Sequence, residues 1–274
     1  MSATATTAER TTSLWEGWEA LAPRLARGTL LACFDYDGTL VPIAPMPEEA
    51  VAEGATRGAL RELAAAPGTS VAVVSGRPVA QLRALLDADG LWLVGLHGLE
   101  LAAPGEELAR TADVEALAAA LSALRTVAAD IARRFPGVRV EDKGTSLALH
   151  TRQARREHAR AAAEAFRAAA RAVHGFHVIA GKEVLELRPD GVDKGVAVRR
   201  LQRHAGGETT LYVGDDTTDE DAFAALATGP GAAATAITVR VAEGDPDAPT
   251  RAAFVLQRQD DVADLLRRLV SLRG

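Results

Sequence analysis

The chain has 274 residues, of which 31 are basic and 37 acidic, for a formal charge of −6. That balance disfavours generic attraction to nucleic acid or to an anionic membrane surface, and no apolar run is long enough to span a bilayer. At 48% hydrophobic and 25% charged residues the composition is that of a globular protein with a sizeable core. The single cysteine, Cys33, excludes an intramolecular disulfide and reads as a small core residue. The opening MSATATTAER is small and polar, carries no signal-peptide pattern and is expected to fray, so the expected compartment is the cytoplasm.

In chain order, Trp15–Arg27 reads as a short helix and Leu30–Phe34 as a buried strand that runs into the loop DYDGTL. Pro42, Pro45 and Pro47 hold the next segment extended, and Glu48–Ala66 reads as a helix. Ser70–Val74 is a β-branched run ending in Ser75-Gly76-Arg77-Pro78, with Pro78 suited to the first turn of a helix over Val79–Leu86. Leu91–Leu96 is a further strand, ending in His97-Gly98. Strands alternating with helices predict a parallel sheet with crossover helices.

The pattern changes near Ala112. Val114–Phe135 and Ala154–Val173 read as long helices. Each is followed by a strand pair, Val138–Asp142 with Ser146–His150 and Phe176–Ala180 with Glu183–Arg188, turning at Lys143-Gly144 and Gly181-Lys182. This helix–strand–strand repeat predicts a small antiparallel sheet with both helices on one face. Alternation resumes from Asp193, with a helix over Lys194–His204, a strand over Thr209–Val213, a helix over Asp219–Ala227, a strand over Ala236–Val241 and a terminal helix over Val262–Leu272. The expected architecture is α/β: a Rossmann-like parallel-sheet core over 1–111 and 189–274, interrupted by an α+β insert over 112–188. The insert carries 13 basic and 9 acidic residues and the remainder 18 and 28. A basic insert and an acidic core fit an anionic substrate held between them, although solvated helix faces account for the same numbers.

Ligands of open α/β sheets bind at the carboxyl ends of the strands. Three predicted strands deliver polar groups there: Asp35, Asp37 and Thr39 from the first, Ser75, Gly76 and Arg77 from the second, and Asp215 and Asp216 from LYVGDD, with Asp219 opening the next helix. Asp35 and Asp37, two residues apart, are costly as a pair unless a hard divalent cation neutralises them. Asp and Gly are also ordinary turn residues, so the joint placement of the three motifs carries the functional reading. His158, His174, His177 and His204 lack metal-ligand spacing and read as surface or helix-end residues.

The ordered set DYDGTL, SGR, Lys194 and GDDTTDE resembles the four motifs of the haloacid-dehalogenase superfamily of phosphotransferases. GLHGLE at Gly95–Glu100, VEDKGTSLALHTR at Val140–Arg152 and GKEVLELRP at Gly181–Pro189 narrow the resemblance to the trehalose-6-phosphate phosphatase family, whose cap is inserted between the second and third motifs. The resemblance covers nearly the whole chain. It implies a Mg²⁺-dependent phosphomonoesterase acting on trehalose 6-phosphate. From the charge balance no nucleic-acid or membrane partner is expected, and the chain is expected to be a monomer. On that basis Asp35 is the expected nucleophile and Asp37 the proton donor and acceptor. Asp35, the Asp37 main-chain carbonyl and Asp215 are the expected metal ligands. Lys194, Ser75 and Thr39 are expected to stabilise and orient the phosphoryl oxygens, with Asp216 and Asp219 supporting from behind. Glu141, Lys143 and Glu186, with Ser146 and Arg188, are the expected sugar-binding groups of the cap, while Arg77, Gly76, His97 and Glu100 belong to the core side. The chain departs from the family pattern at His150-Thr151-Arg152, where an aromatic is expected after the histidine. Rival expectations are a capped phosphatase for sucrose 6-phosphate or a mannosyl phosphoglycerate, a phosphomutase, and a non-catalytic sugar-phosphate-binding regulatory subunit.

Overall fold

The computed structural model describes residues 12–44, 49–86, 89–110, 113–181, 183–228, 235–243 and 248–274. The N-terminal MSATATTAER, Pro45, Pro47, Ala112 and Lys182, on which parts of the expected organisation fell, lie outside them. The chain divides into two compact units, one formed by 1–109 with 193–274 and the other by 110–192.

The first unit is built on strands β1 (Thr12–Ser13), β2 (Leu30–Phe34), β3 (Thr69–Val74), β4 (Trp92–Gly95), β5 (Glu100–Ala102) and β6 (Leu108–Arg110) from its first segment. The return segment adds β11 (Thr209–Gly214), β12 (Ala236–Val241) and β13 (Phe254–Leu256). The sheet order is β1-β13-β12-β11-β2-β3-β4-β5-β6. All paired strands from β1 to β4 run parallel, and β5 turns back antiparallel on β4. The first long strand thus lies mid-sheet, with later strands added on one side and then the other, and the crevice where the order reverses opens between β2 and β11.

Strand parity builds two cores. Leu30, Ala32 and Phe34 of β2, with Val71, Val73, Leu211 and Val213, face α1 (Trp18–Ala26), α2 (Gly54–Ala65), α3 (Val79–Leu86) and the terminal α9 (Asp261–Arg273). Leu31 and Cys33, with Ala72, Val74 and Tyr212, face α7 (Lys194–Ala205) and α8 (Asp219–Ala227). Continuing the second series past the strand end puts Asp35 on the α7–α8 side.

Helix α2 starts at Gly54, later than the sequence pattern suggests. Across Glu49–Glu53 burial alternates residue by residue, with Ala50 and Ala52 buried and Val51 exposed, which is a period of two and not a helical stripe. The Val51 N–H turns back to the Glu49 carbonyl at 2.9 Å, and the Tyr36 hydroxyl donates to the Ala50 carbonyl at 2.7 Å and holds this non-helical segment against the loop after β2.

The second unit contains α4 (Val114–Ala120), α5 (Ser122–Arg134), β7 (Arg139–Asp142), β8 (Leu147–His150), α6 (Arg156–Ala170), β9 (Phe176–Gly181) and β10 (Val184–Pro189). The single helix expected over Val114–Phe135 is two, separated at the buried Leu121. The four-stranded sheet has the order β7-β8-β10-β9, all neighbours antiparallel. Leu147, Leu149, Leu185 and Leu187 share one face and pack against Leu124, Ala128 and Ile131 of α5 and Ala162, Phe166 and Ala170 of α6. Both helices therefore cover the same face, as the repeat predicts. Among the described residues no helix is long and apolar enough to cross a membrane.

Candidate active site

The site in the first unit forms where β2 and β11 end side by side. The Asp35 amide donates to the Val213 carbonyl at 2.9 Å, so the two strand ends are tied in register. The chain then turns through Tyr36–Val41, closed by Gly38 N–H to Val41 O at 2.8 Å and Leu40 N–H to Tyr36 O at 2.9 Å. Gly38 sits at φ +85°, and a Cβ there would fall 2.1 Å from Asp215 Oδ2. Only glycine permits both the left-handed turn and the close approach of Asp215.

Carboxylate oxygens of Asp35, Asp215 and Asp219 lie within 4.8 Å of one another. Lys194, the first residue of α7, sends its ammonium to Asp35 Oδ1 and Asp219 Oδ1, each at 2.8 Å, and is itself only 2% exposed. The helix end that delivers it is fixed by Asp193, whose carboxylate accepts the Val196 N–H at 2.7 Å. Three anions and one buried cation leave an excess of negative charge. Burial pushes the Asp35 carboxyl well above its ordinary range; Lys194 opposes this, and Asp219 and Asp215 add to it. Burial, then Asp219, pushes Asp215 up to about 7, against the pull of Lys194 and of the Thr39 hydroxyl, which donates to Asp215 Oδ1 at 3.0 Å. Burial alone would discharge Lys194, but its pairs with Asp219 and Asp35 prevail and hold the ammonium well above its ordinary value.

The three carboxylates are unequal. Asp219 is engaged at both oxygens: Oδ1 accepts from Lys194 and from the Tyr212 hydroxyl at 2.8 Å, and Oδ2 accepts the Asp216 N–H at 3.0 Å. Asp35 Oδ2 and Asp215 Oδ2 accept no hydrogen bond among the described residues. An all-oxygen donor set with two unfilled carboxylate oxygens and unneutralised charge suits a hard divalent cation. Asp216 does not join by its side chain: it is exposed and its Oδ1 accepts from the Thr217 N–H and hydroxyl. Adjacent residues past a strand end diverge, which is why the second aspartate of GDD turns away.

On the β3 side, Ser75 is 2% exposed and its Oγ accepts the Arg77 N–H at 3.1 Å. Arg77 grips Asp37 through one guanidinium edge, Nε donating to Oδ2 and Nη2 to Oδ1, each at 2.6 Å. The guanidinium also lies over the Tyr36 ring, 5.4 Å from its centroid. Arg77, expected from sequence among the core-side substrate groups, thus holds the Asp37 carboxylate.

The GLHGLE segment braces this loop. Its Leu96 and His97 amides donate to Arg77 O and Ser75 O at 3.1 and 3.0 Å, with both residues at left-handed φ of 50° and 56°. Such non-glycine conformations cost on the order of 1–3 kcal/mol each. His97 Nε2 lies where a Gly76 Cβ would come within 2.7 Å, so the ring closes over Gly76. Glu100, 5% exposed, uses Oε2 to accept the Val79 N–H at 2.8 Å and caps α3.

In the second unit the register aligns Glu141 with Ala148 and Ala148 with Glu186, placing both glutamates on the sheet face opposite the helices. Glu186 gathers the Lys143 ammonium at 3.3 Å and the Ser146 hydroxyl at 3.2 Å on Oε1, and Arg188 Nη2 on Oε2. Glu141 Oε2 lies 2.9 Å from His150 Nε2. Arg188 Nε is buried with no partner among the described residues. At the departure from the family pattern, Thr151 closes the neighbouring hairpin, its N–H and hydroxyl both donating to Glu183 O, at 2.8 and 3.0 Å.

The trehalose-phosphatase family model matches residues 33–260. A trehalose-phosphate phosphatase of Mycobacterium marinum is 39% identical over 247 residues, covering 87% of this chain and 60% of that protein. The chain therefore spans about three-fifths of the length of that curated relative. Among solved structures, trehalose-6-phosphate phosphatase of Aspergillus fumigatus aligns at TM-score 0.69 and 30% identity, over 92% of this chain and 97% of that one. The C-terminal domain of the Candida albicans trehalose-6-phosphate phosphatase aligns at TM-score 0.76 and 25% identity, over 96% of this chain and 100% of that one. The chain belongs to the trehalose-phosphatase family.

Proposed function

We propose that the chain hydrolyses trehalose 6-phosphate to trehalose and phosphate through a phosphorylated Asp35. The observation that carries this is the Lys194 ammonium held between Asp35 and Asp219, 2.8 Å from each, with Asp215 alongside. Asp35, Asp215 and the Asp37 main-chain carbonyl would hold Mg²⁺, which when bound offsets the negative charge of the phosphate so that an anionic nucleophile can approach.

In the first step an Asp35 oxygen attacks phosphorus, the bond from phosphorus to the sugar oxygen breaks, and the Asp37 carboxylic acid protonates that oxygen. In the second, the Asp37 carboxylate takes a proton from water, the water oxygen attacks phosphorus, and the bond to Asp35 breaks to release phosphate. Asp37 cannot carry the proton while both its oxygens accept from Arg77, so the pair opens during each turnover. The guanidinium, stacked on Tyr36, then has two N–H groups for a substrate oxygen. Lys194 uses two of its three N–H donors on Asp35 and Asp219, and the third is the one for a transferring phosphoryl oxygen. Ser75 and Thr39 line the same strand ends.

The 110–192 unit is the proposed sugar selector. Its polar sheet face concentrates Glu141, Lys143, Ser146, Glu186 and Arg188, and ionised partners suit the many hydroxyls of a disaccharide. Removing Glu186 also strands Lys143 and Arg188. Glu186→Gln and Lys143→Ala are expected to lower kcat/KM for trehalose 6-phosphate by about 10–100-fold, mostly through KM, with far less effect on glucose 6-phosphate. Steady-state rates on trehalose 6-phosphate, sucrose 6-phosphate and glucose 6-phosphate check this. Unchanged preference among the three in both variants would remove the substrate assignment. Isomerised sugar phosphate without phosphate release would indicate a phosphomutase.

Asp215 also gives the metal a pH dependence. Its carboxyl is pushed up to about 7 from an ordinary 3.8, so the metal-free fold holds a proton that the unfolded chain has lost. The stability this supplies is complete below the unfolded value and disappears as pH rises through the folded one. Mg²⁺ must displace that proton. Its effect on the melting temperature is therefore expected to be small near pH 5.5 and to grow toward about pH 7.5. Differential scanning fluorimetry with and without Mg²⁺ measures this, and a pH-independent shift would contradict it.

A further inference from the structure

We infer that Tyr212 is a positioning residue for the reaction, acting on Lys194 through Asp219; this rests on the function proposed above. Tyr212 lies on β11 among apolar neighbours, fully buried, with its ring edge-on to Phe223 at 5.8 Å between centroids and 86° between planes. Among the described residues its hydroxyl has one partner, Asp219 Oδ1, at 2.8 Å, and the same oxygen receives the Lys194 ammonium at 2.8 Å. Asp219 itself is 0% exposed. The chain of contacts Tyr212–Asp219–Lys194–Asp35 therefore runs from the inner core to the attacking carboxylate without an exposed member.

A carboxylate at the start of a helix has rotamer choices, and its three donors here differ in kind. The Asp216 amide belongs to a turn, and the Lys194 ammonium ends a flexible stem. The Tyr212 hydroxyl is different: it ends a rigid ring locked in the sheet by Phe223, and it reaches Oδ1 from the core side. It also shares the charge of Oδ1, so Lys194 is divided between Asp219 and Asp35 instead of being drawn to Asp219 alone. The direction of the third Lys194 N–H follows from the other two. The phenol takes no part in bond making or breaking.

Tyr212→Phe removes the hydroxyl and keeps the ring. In the 274-residue chain with Mg²⁺, kcat for trehalose 6-phosphate or p-nitrophenyl phosphate is expected to fall about tenfold, with KM changed less than about twofold. In an Asp219→Asn background the same substitution is expected to lower the residual rate by less than about twofold, because the path runs through Asp219. The ¹⁵Nζ–¹H signal of Lys194 needs no turnover, and is expected to shift and exchange faster in Tyr212→Phe. An unchanged kcat and an unchanged Lys194 signal, with only a lower melting temperature, would overturn the inference and leave the proposed function standing. An equal loss in the Asp219→Asn background would overturn it too. A wild-type protein that cleaves no phosphomonoester would overturn the proposed function, while the Lys194 signal would still decide whether Tyr212 positions the ammonium.

Discussion

Asp35→Asn is expected to abolish turnover while leaving the metal-free protein as stable as the wild type or more so. The proposed mechanism makes Asp35 the atom donor to phosphorus, so an amide cannot substitute and kcat should fall by at least about 1,000-fold. Stability should move the other way. Burial, then Asp219 and Asp215, push the Asp35 carboxyl well above its ordinary value against the pull of Lys194, so the fold penalises its ionised form relative to the unfolded chain. Replacing it by a neutral isostere removes that repulsion, a trade of activity for stability common at catalytic centres. Phosphate-release kinetics and a urea midpoint on the same preparations check both halves. An Asn variant with substantial turnover would rule out a covalent role for Asp35, and a large fall in stability would mean that the Lys194 pair outweighs the repulsion.

Lys194→Met should lose both activity and stability. Lys194 bridges two buried carboxylates, at 2.8 Å from each. Removing one partner of a buried ionic group leaves uncompensated charge and costs about 3–5 kcal/mol. The sign with pH follows from the carboxylates left behind. Their folded-state values, already raised for Asp35 and Asp215, rise further without the ammonium, so the folded variant binds protons the unfolded chain has released. Its stability should then recover as pH is lowered toward about 5. Chemical denaturation across that range measures this. A variant as stable as the wild type at neutral pH would mean that the cluster is already protonated or otherwise compensated. The two substitutions thus act on one contact with opposite expected effects on folding.

The parallel sheet, the inserted helix–strand–strand repeat and the strand ends carrying Asp35, Ser75 and Asp215 were legible because each rests on local pattern. Period-two burial, Gly and Pro punctuation and apolar runs are written residue by residue. What escaped depends on partners distant in sequence. Ala50 and Ala52 belong to a helix by composition, yet lie outside one because each packs inward at alternate positions and Tyr36 captures the Ala50 carbonyl. The break at Leu121 arises where a leucine is buried between two short helices that the Ala-rich sequence would join.

The candidate site divides in the same way. DYDGTL, SGR and GDD announce the carboxylates, but not that Arg77 occupies both oxygens of Asp37 or that Asp219 is engaged at both oxygens while Asp215 is open. Glu100 reads as a polar group beside the site and is in fact spent on the first amide of α3. Tyr212 went unnoticed because an aromatic in an apolar strand reads as core. The available signal was that a phenol in a strand buried on both faces must find an acceptor, and Asp219 is the buried acceptor that opens the next helix. In the second unit, the row from Glu141 to Glu186 follows from strand register, which no local motif specifies.

The most direct measurement is release of phosphate and trehalose from trehalose 6-phosphate by the purified chain, with Mg²⁺ and with a chelator in excess. Equimolar phosphate and trehalose in the presence of Mg²⁺, and none with the chelator, is the predicted result. Absence of phosphate release with Mg²⁺ present, or release that the chelator leaves unchanged, would contradict it.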